Sequence, residues 1–275
     1  NAIVATEFWV KPNWGWKDMA GHEKVMRNTQ RGMLVAEAFT CWPLHAWQDG
    51  PHSLKPICDR AFCTGVNRMM LHAGAANPWP NVEPGMSFGI WGTHFVPGQT
   101  WWKAGGARAL FDYMARCQSL LQRGVPAKDQ LRLTDRFKTY RRTDGANDII
   151  FLCNPTEQTV ADTLRIAAFA GDRSVELWDP YSVTMAAQLQ KDNIVVTIEP
   201  NGSRFLVICG PQPMTPTADM YAAGANPSEN ALLTQRCDVP AASVNISNGW
   251  TISFPTSPDG PTAVMTDTLF DWTTS

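Results

Sequence analysis

At 275 residues the chain exceeds what one typical hydrophobic core needs. Its 44% hydrophobic and 17% charged residues exclude a disordered or fibrous polypeptide. The 23 basic and 25 acidic residues leave a net charge of −2, which excludes the basic field that holds a phosphate backbone, and with it a nucleic-acid partner.

Twelve Trp against four Tyr is an unusual ratio. An indole is a flat apolar platform with one polar edge, suited to the C–H face of a sugar as well as to a core. Many of these Trp sit beside Gly, Pro and His in loop-like sequence, which favours sugar contact. The seven Cys are scattered and odd in number, without a C-x-x-C pair, so they do not read as a disulfide framework. Cys58 and Cys63 read as small packed hydrophobes. No apolar run reaches the roughly 20 residues of a membrane span. The chain opens at Asn1 and runs almost at once into strand-like sequence, so its true N-terminus is expected upstream.

In chain order, Ala2–Ala5 reads as a buried strand, followed by a Trp-rich loop from Phe8 to Trp16. A helix is predicted over 18–30, a strand over 33–36 and a loop over 39–51. Ser53 to Thr64 reads as a helix with Ser53 as N-cap and Gly65 as its stop. Asn67–His72 is a third strand, followed by a long Gly-, Pro- and aromatic-rich loop over 73–100. Residues 101–123 read as a helix, because Leu110, Tyr113, Met114, Cys117, Leu120 and Leu121 recur at three- and four-residue spacing. Such alternation is the pattern of βα units in a parallel sheet.

Beyond Gly124 the period changes. Short strands are predicted over 149–154, 163–169, 174–178, 194–198 and 204–208, with turn signals at Asn154-Pro155, Gly171-Asp172, Asp179-Pro180 and Asn201-Gly202. Short strands between turns argue an antiparallel β-sandwich. The stretch from Gly210 is Pro-, Ala- and Gly-rich and reads as a linker. Residues 244–272 begin another strand-rich unit too short to close a core. The expected fold class is therefore α/β plus all-β. Its parts are a C-terminal portion of a (β/α)8-type barrel over 1–137, an antiparallel β-sandwich over 138–210, a linker over 211–243, and the start of a further β-sandwich module of galactose-binding-like type over 244–275.

The first two strands end alike, in Val4-Ala5-Thr6-Glu7-Phe8 and Val35-Ala36-Glu37-Ala38-Phe39. Each puts a carboxylate at the carboxyl end of an apolar strand, one βα unit apart, and that end of a barrel lines the active site. Glycosidic cleavage needs one proton donor and one carboxylate that activates water or attacks the sugar. Glu37 and Glu7 are the catalytic candidates, although a lone Glu at a strand end also serves as a solvated rim residue. His72 ends the third strand as a substrate-contacting or supporting candidate, with His45 and His52 weaker. No compact metal motif, dinucleotide loop or Walker loop is present.

The run Ala36-Glu37-Ala38-Phe39-Thr40, then Leu54-Lys55-Pro56, Asp59-Arg60-Ala61-Phe62 and Gly65-Val66-Asn67-Arg68, resembles the catalytic region of glycoside hydrolase family 106. His72, Asn77-Pro78-Trp79, Pro84-Gly85-Met86, Trp91-Gly92-Thr93-His94-Phe95, Thr100-Trp101-Trp102 and Arg116-Cys117-Gln118 continue the resemblance through about residue 124. That family consists of inverting, calcium-dependent α-L-rhamnosidases acting on plant polysaccharides and glycosides. The resemblance implies a secreted or periplasmic hydrolase in which Glu37 is one catalytic carboxylate, more as base than acid. It also implies a sugar site shaped by His72, Trp79, Trp91 and His94, with Trp42 beside it. Members are much longer, so two placements of the second carboxylate stay open: Glu7 itself, or a residue upstream that leaves Glu7 in a subsite. No calcium ligand is assigned; Asp49 and Asp59 are available carboxylates without supporting context. Two other readings stand beside this one: a non-catalytic carbohydrate-binding fragment, and a piece of a larger assembly whose remaining chain completes the barrel.

Overall fold

The computed structural model describes residues 3–11, 14–42, 48–72, 106–130, 132–166, 170–186, 194–210, 250–253 and 263–266. Chain contacts divide it into a unit over 1–226 and a second over 227–275. The first unit opens with β1 (Val4–Lys11), α1 (Trp16–Asn28), β2 (Leu34–Cys41), α2 (Pro51–Phe62) and β3 (Arg68–Leu71). These strands form one parallel sheet in the order β1-β2-β3. The strand–helix alternation of the sequence is thus a parallel sheet, as parallel neighbours require a crossover between them. β1 runs further than predicted. Phe8, Trp9 and Val10 are strand residues, because their buried aromatic and branched side chains favour a pleated surface.

The two faces of this sheet differ. Val4, Phe8, Leu34, Ala36 and Ala38 are buried on one side, with Met69 and Leu71 packed against the same core. α1, α2 and α3 (Gly106–Leu121) contribute Met19, Met26, Leu54, Phe62, Tyr113 and Leu120 to it. On the other side Ala5, Glu7, Arg68 and Met70 are exposed and Glu37 is half-buried, while Val35 and, at the carboxyl end, Trp9 are well covered.

Helix ends follow local chemistry. α2 begins with Pro51 at its first position, where a missing N–H costs nothing. Its N-cap is Gly50 and not Ser53; Ser53 sits three residues on, its Oγ accepting from the Gly50 N–H at 3.2 Å. Asn67, fully buried, ties the bottom of the sheet together. Its side chain accepts from the Leu34 N–H at 2.9 Å and donates to the carbonyls of Gly32 at 2.7 Å and Leu121 at 3.0 Å. Arg142 works beside it, donating to the carbonyls of Gly32, Gly124 and Arg123 at 2.8, 2.8 and 3.1 Å. Burial lowers its pKa to about 10.

The rest of the unit is antiparallel. The strands β4 (Val125–Pro126), β5 (Lys138–Thr143), β6 (Asp148–Cys153), β7 (Val160–Leu164), β8 (Ser174–Asp179), β9 (Thr184–Ala186), β10 (Ile194–Ile198) and β11 (Ser203–Cys209) succeed one another along the chain. They make a six-stranded sheet, β4-β5-β6-β11-β8-β9, and a pair, β10-β7. β6 from Ile149 and β11 from Phe205 are apolar at every position, for a reason visible in the packing. Ile149, Phe151, Phe205 and Val207 join the helix-side core, whereas Ile150, Leu152, Leu206 and Ile208 pack with the β7 and β10 side chains. A strand buried on both faces has no polar face to alternate. Phe62 of α2 meets Phe151 edge-on at 5.5 Å, so the parallel part and the antiparallel part share one core.

In the second unit, β12 (Trp250–Ser253) pairs antiparallel with β13 (Ala263–Thr266). The predicted linker lies outside the described residues.

Candidate active site

Glu7 and Glu37 are register partners in the β1–β2 ladder, and Glu37 is in turn opposite Met70 of β3. Registered residues of parallel strands point to the same side, and neighbouring strands lie about 4.8 Å apart. Both carboxylates therefore stand on the open face of the sheet, near its carboxyl end. Glu7 is exposed and Glu37 half-buried. His72 comes directly after β3, its N–H donating to the Ala38 carbonyl at 3.0 Å, and alternation from Met70 puts it on Glu37's side.

Immediately past Glu37 the ladder slips: Phe8 is opposite Ala38, but Trp9 is opposite Thr40. Phe39 is the extra residue, with φ at 73°. A bulky residue in the left-handed region is strained and has to be held in place. Here the fully buried Phe39 ring packs edge-on against Phe8 at 5.1 Å. The bulge re-aims Thr40, whose hydroxyl donates a long, 3.5 Å hydrogen bond to Glu37 Oε1. Nothing in the sequence beyond a Phe next to a Thr announces this.

Aromatic rings gather at the same end. Trp9 lies 5.4 Å from Trp14 and 5.8 Å from Trp42, ring centre to ring centre. Trp14 and Trp42 keep 55% and 38% of their surface exposed, enough for one face to meet a ligand. Of this group the sequence singled out Trp42 individually. Trp16 donates from its indole nitrogen to the Trp9 carbonyl at 3.1 Å, and the Arg60 guanidinium covers its ring at 3.8 Å. Gly15, with φ at 79°, makes the turn into α1; a Cβ there would lie 2.2 Å from the Glu7 carbonyl oxygen. Trp79, Trp91, His94 and His45 lie outside the described residues.

A second polar group lies between α2, α3 and the β10–β11 turn. Lys55 Nζ donates to Asp59 Oδ2 at 2.7 Å, the Asn201 carbonyl at 2.5 Å and Ser203 Oγ at 3.3 Å. Tyr113 donates to Asp59 Oδ1 at 2.5 Å and shares a 2.7 Å hydrogen bond with Ser203. Burial raises the Asp59 pKa against the opposing pull of Lys55, and raises that of Tyr113 further. The cluster borders a cavity of about 450 Å³. Asp59 is thereby committed to Lys55 and Tyr113, and Asp49 is buried. Among the described residues there is no group of three or more His, Cys, Asp or Glu side chains placed to hold a metal ion.

The α-L-rhamnosidase model of glycoside hydrolase family 106 matches residues 3–136. The match covers just under half of the chain. It contains β1, β2, β3, both glutamates and the Trp cluster. A Formosa agariphila protein provisionally named a β-glucuronidase is 39% identical over 133 residues, which are 48% of this chain and 11% of that protein. The structure of a rhamnosidase from Novosphingobium sp. PP1Y superposes with a TM-score of 0.65 at 15% identity, covering 97% of this chain and 39% of that one. The latter likeness shows the fold, mixed α and β. The chain spans about a tenth of the first relative and well under half of the second. Among the described residues no helix is long and apolar enough to cross a membrane.

Proposed function

We propose that this chain carries the carboxyl ends of neighbouring (β/α)-barrel strands of a secreted or periplasmic α-L-rhamnosidase, followed by an antiparallel β-sandwich domain. The observation that carries the reading is the Glu7–Glu37 register on the open face of a parallel sheet, inside the segment that matches family 106. Parallel sheets are ordinarily covered on both faces. In a barrel the open face becomes the interior, and further βα units of the same polypeptide would close it. Glu37 acts as the general base that draws a proton from water, and the Thr40 hydrogen bond holds one of its oxygens while the other faces the substrate. Glu7 stands within reach of the same glycosidic bond and donates the proton to the leaving oxygen. Inversion needs the two carboxyl groups roughly 6.5–9.5 Å apart with a water between them, so on strands about 4.8 Å apart the two side chains have to splay away from each other to admit that water. The exposed rings of Trp14 and Trp42, with His72, hold the sugar against the pair.

The experiment assays the polypeptide that completes the sheet on aryl α-L-rhamnosides and aryl β-D-glucuronides, following the product anomer by NMR. The reading expects rhamnoside cleavage with inversion, no turnover by the isolated 275-residue chain, and loss of activity on chelation of calcium, which the resemblance implies. Glucuronide cleavage alone, or sugar binding without turnover, would contradict it.

A further inference from the structure

We infer that the cavity between α2, α3 and the β10–β11 turn is a second saccharide-binding site, one that takes a single neutral pyranose unit. The inference rests on the reading of the chain as carbohydrate-acting, and it concerns a site apart from the Glu7–Glu37 pair. The volume of about 450 Å³ is ample for one sugar ring and lies within the range of small-molecule sites. Its walls are mainly apolar: Pro51 and Pro56 of α2, Leu110 of α3, and the rings of Tyr113 and Tyr181. The two rings stand 6.5 Å apart at 54° to each other, and Tyr181 is 65% exposed at the mouth. The exposed Tyr181 ring suits the C–H face of a pyranose, with the buried Tyr113 closing the wall behind it and His52 and the carbonyls of the β10–β11 turn near the rim for its hydroxyls.

Charge decides between neutral and anionic ligands. An ammonium has three protons, and Lys55 places all three on Asp59, Asn201 and Ser203. Glu199 is bonded through both carboxylate oxygens to Arg204, at 3.0 and 2.8 Å. The ions that border the cavity are thus paired within the protein, and an anionic sugar would have to lose its water without gaining a cation. The position suits an extended substrate. α2 starts just beyond the carboxyl end of β2, so its first turn lies at the end of the sheet that carries the glutamates.

The test is a titration of the full polypeptide carrying ε-13C-tyrosine, with the Tyr181 signal assigned by Tyr181→Phe. Methyl α-L-rhamnopyranoside is the neutral probe and sodium glucuronate the anionic one. Expected are saturable shifts of Tyr181 and Tyr113 with a Kd of the order of millimolar for the neutral probe. Tyr140, packed beside Glu23, stays still. Ala109→Trp, which fills the cavity from the exposed side of α3, weakens binding at least tenfold with an unchanged melting temperature. Absent saturation, equal shifts with glucuronate, or an unaffected Ala109→Trp variant would overturn the site. Hydrolysis of an aryl rhamnoside by the unsubstituted protein is measured alongside. If that hydrolysis is absent while the tyrosine shifts remain, the activity assignment fails and this site stands.

Discussion

Glu7 and Glu37 stand directly opposite each other across a parallel ladder, one exposed and one half-buried, on the side of the sheet away from the helices. Two like charges side by side are not there for stability, since facing carboxylates repel. Under the proposed function, the same placement lets two carboxyl groups reach one glycosidic bond. The local backbone serves the same end: the Phe39 bulge lies two residues past Glu37, and Gly15 presses against the Glu7 carbonyl.

Gly15→Ala tests the second of these supports. Its φ of 79° disfavours any side chain, and the new Cβ would lie 2.2 Å from the Glu7 carbonyl oxygen, so backbone has to move. We expect a loss of about 1–3 kcal/mol in denaturant unfolding and a fall in kcat out of proportion to the remaining folded fraction. A variant as stable and active as the parent would show that this turn does not position Glu7.

The Lys55–Asp59 pair gives a different signature. Both side chains are largely buried, and Asp59 is held by Lys55 and Tyr113. Lys55→Met leaves a buried carboxylate without its cation and should cost about 3–5 kcal/mol. Adding Asp59→Asn should recover part of that loss, because the uncompensated charge is gone. A double variant no better than the single one would place the contribution of Lys55 in packing alone.

Acid stability has a local source at Asp162. The Thr134 hydroxyl donates to Asp162 Oδ2, joined by the Asp135 N–H at 3.2 Å, while the Thr163 N–H donates to Oδ1 at 2.9 Å. These bonds, that of Thr134 first, hold the carboxyl below its usual 3.8. A depressed folded value means the stabilisation is complete above the unfolded pKa and is lost as pH falls through the folded one. Asp162→Asn should therefore lower the melting temperature at pH 7, where the carboxylate contributes fully, and flatten its fall below about pH 4, so that parent and variant converge in acid. An unchanged acid slope would refute the assignment.

Much of the architecture is legible in the sequence, because hydrophobic period maps directly onto faces. The three- and four-residue spacing from Leu110 to Leu121 gives α3, and the apolar runs at 34–36 and 149–153 give strands. β5, Lys-Thr-Tyr-Arg-Arg-Thr, is hidden because its buried positions include Arg142, whose charge is met by carbonyls distant in sequence. The motif residues are mixed in role. Glu37 faces the open side of the sheet, whereas Asp59 and Asn67, part of the same resemblance, hold α2 to α3 and the start of β2 to the end of α3. A short motif cannot separate the two kinds of residue, since both are polar and locally surrounded by apolar neighbours. The bulge at Phe39 is beyond sequence reasoning, as its strain is maintained by packing with Phe8 from another strand.

The central claim is that Glu37 is the catalytic base, and Glu37→Gln in the polypeptide that completes the sheet tests it most directly. The amide keeps the size and shape of the side chain but can neither take a proton from water nor hold a negative charge beside an oxocarbenium-like transition state. Loss of general base catalysis is worth about 10²–10⁴-fold in kcat, while KM and melting temperature should stay close to those of the parent. A fall in kcat of less than about tenfold would contradict a role this large, and joint collapse of activity and melting temperature would make Glu37 a structural residue instead.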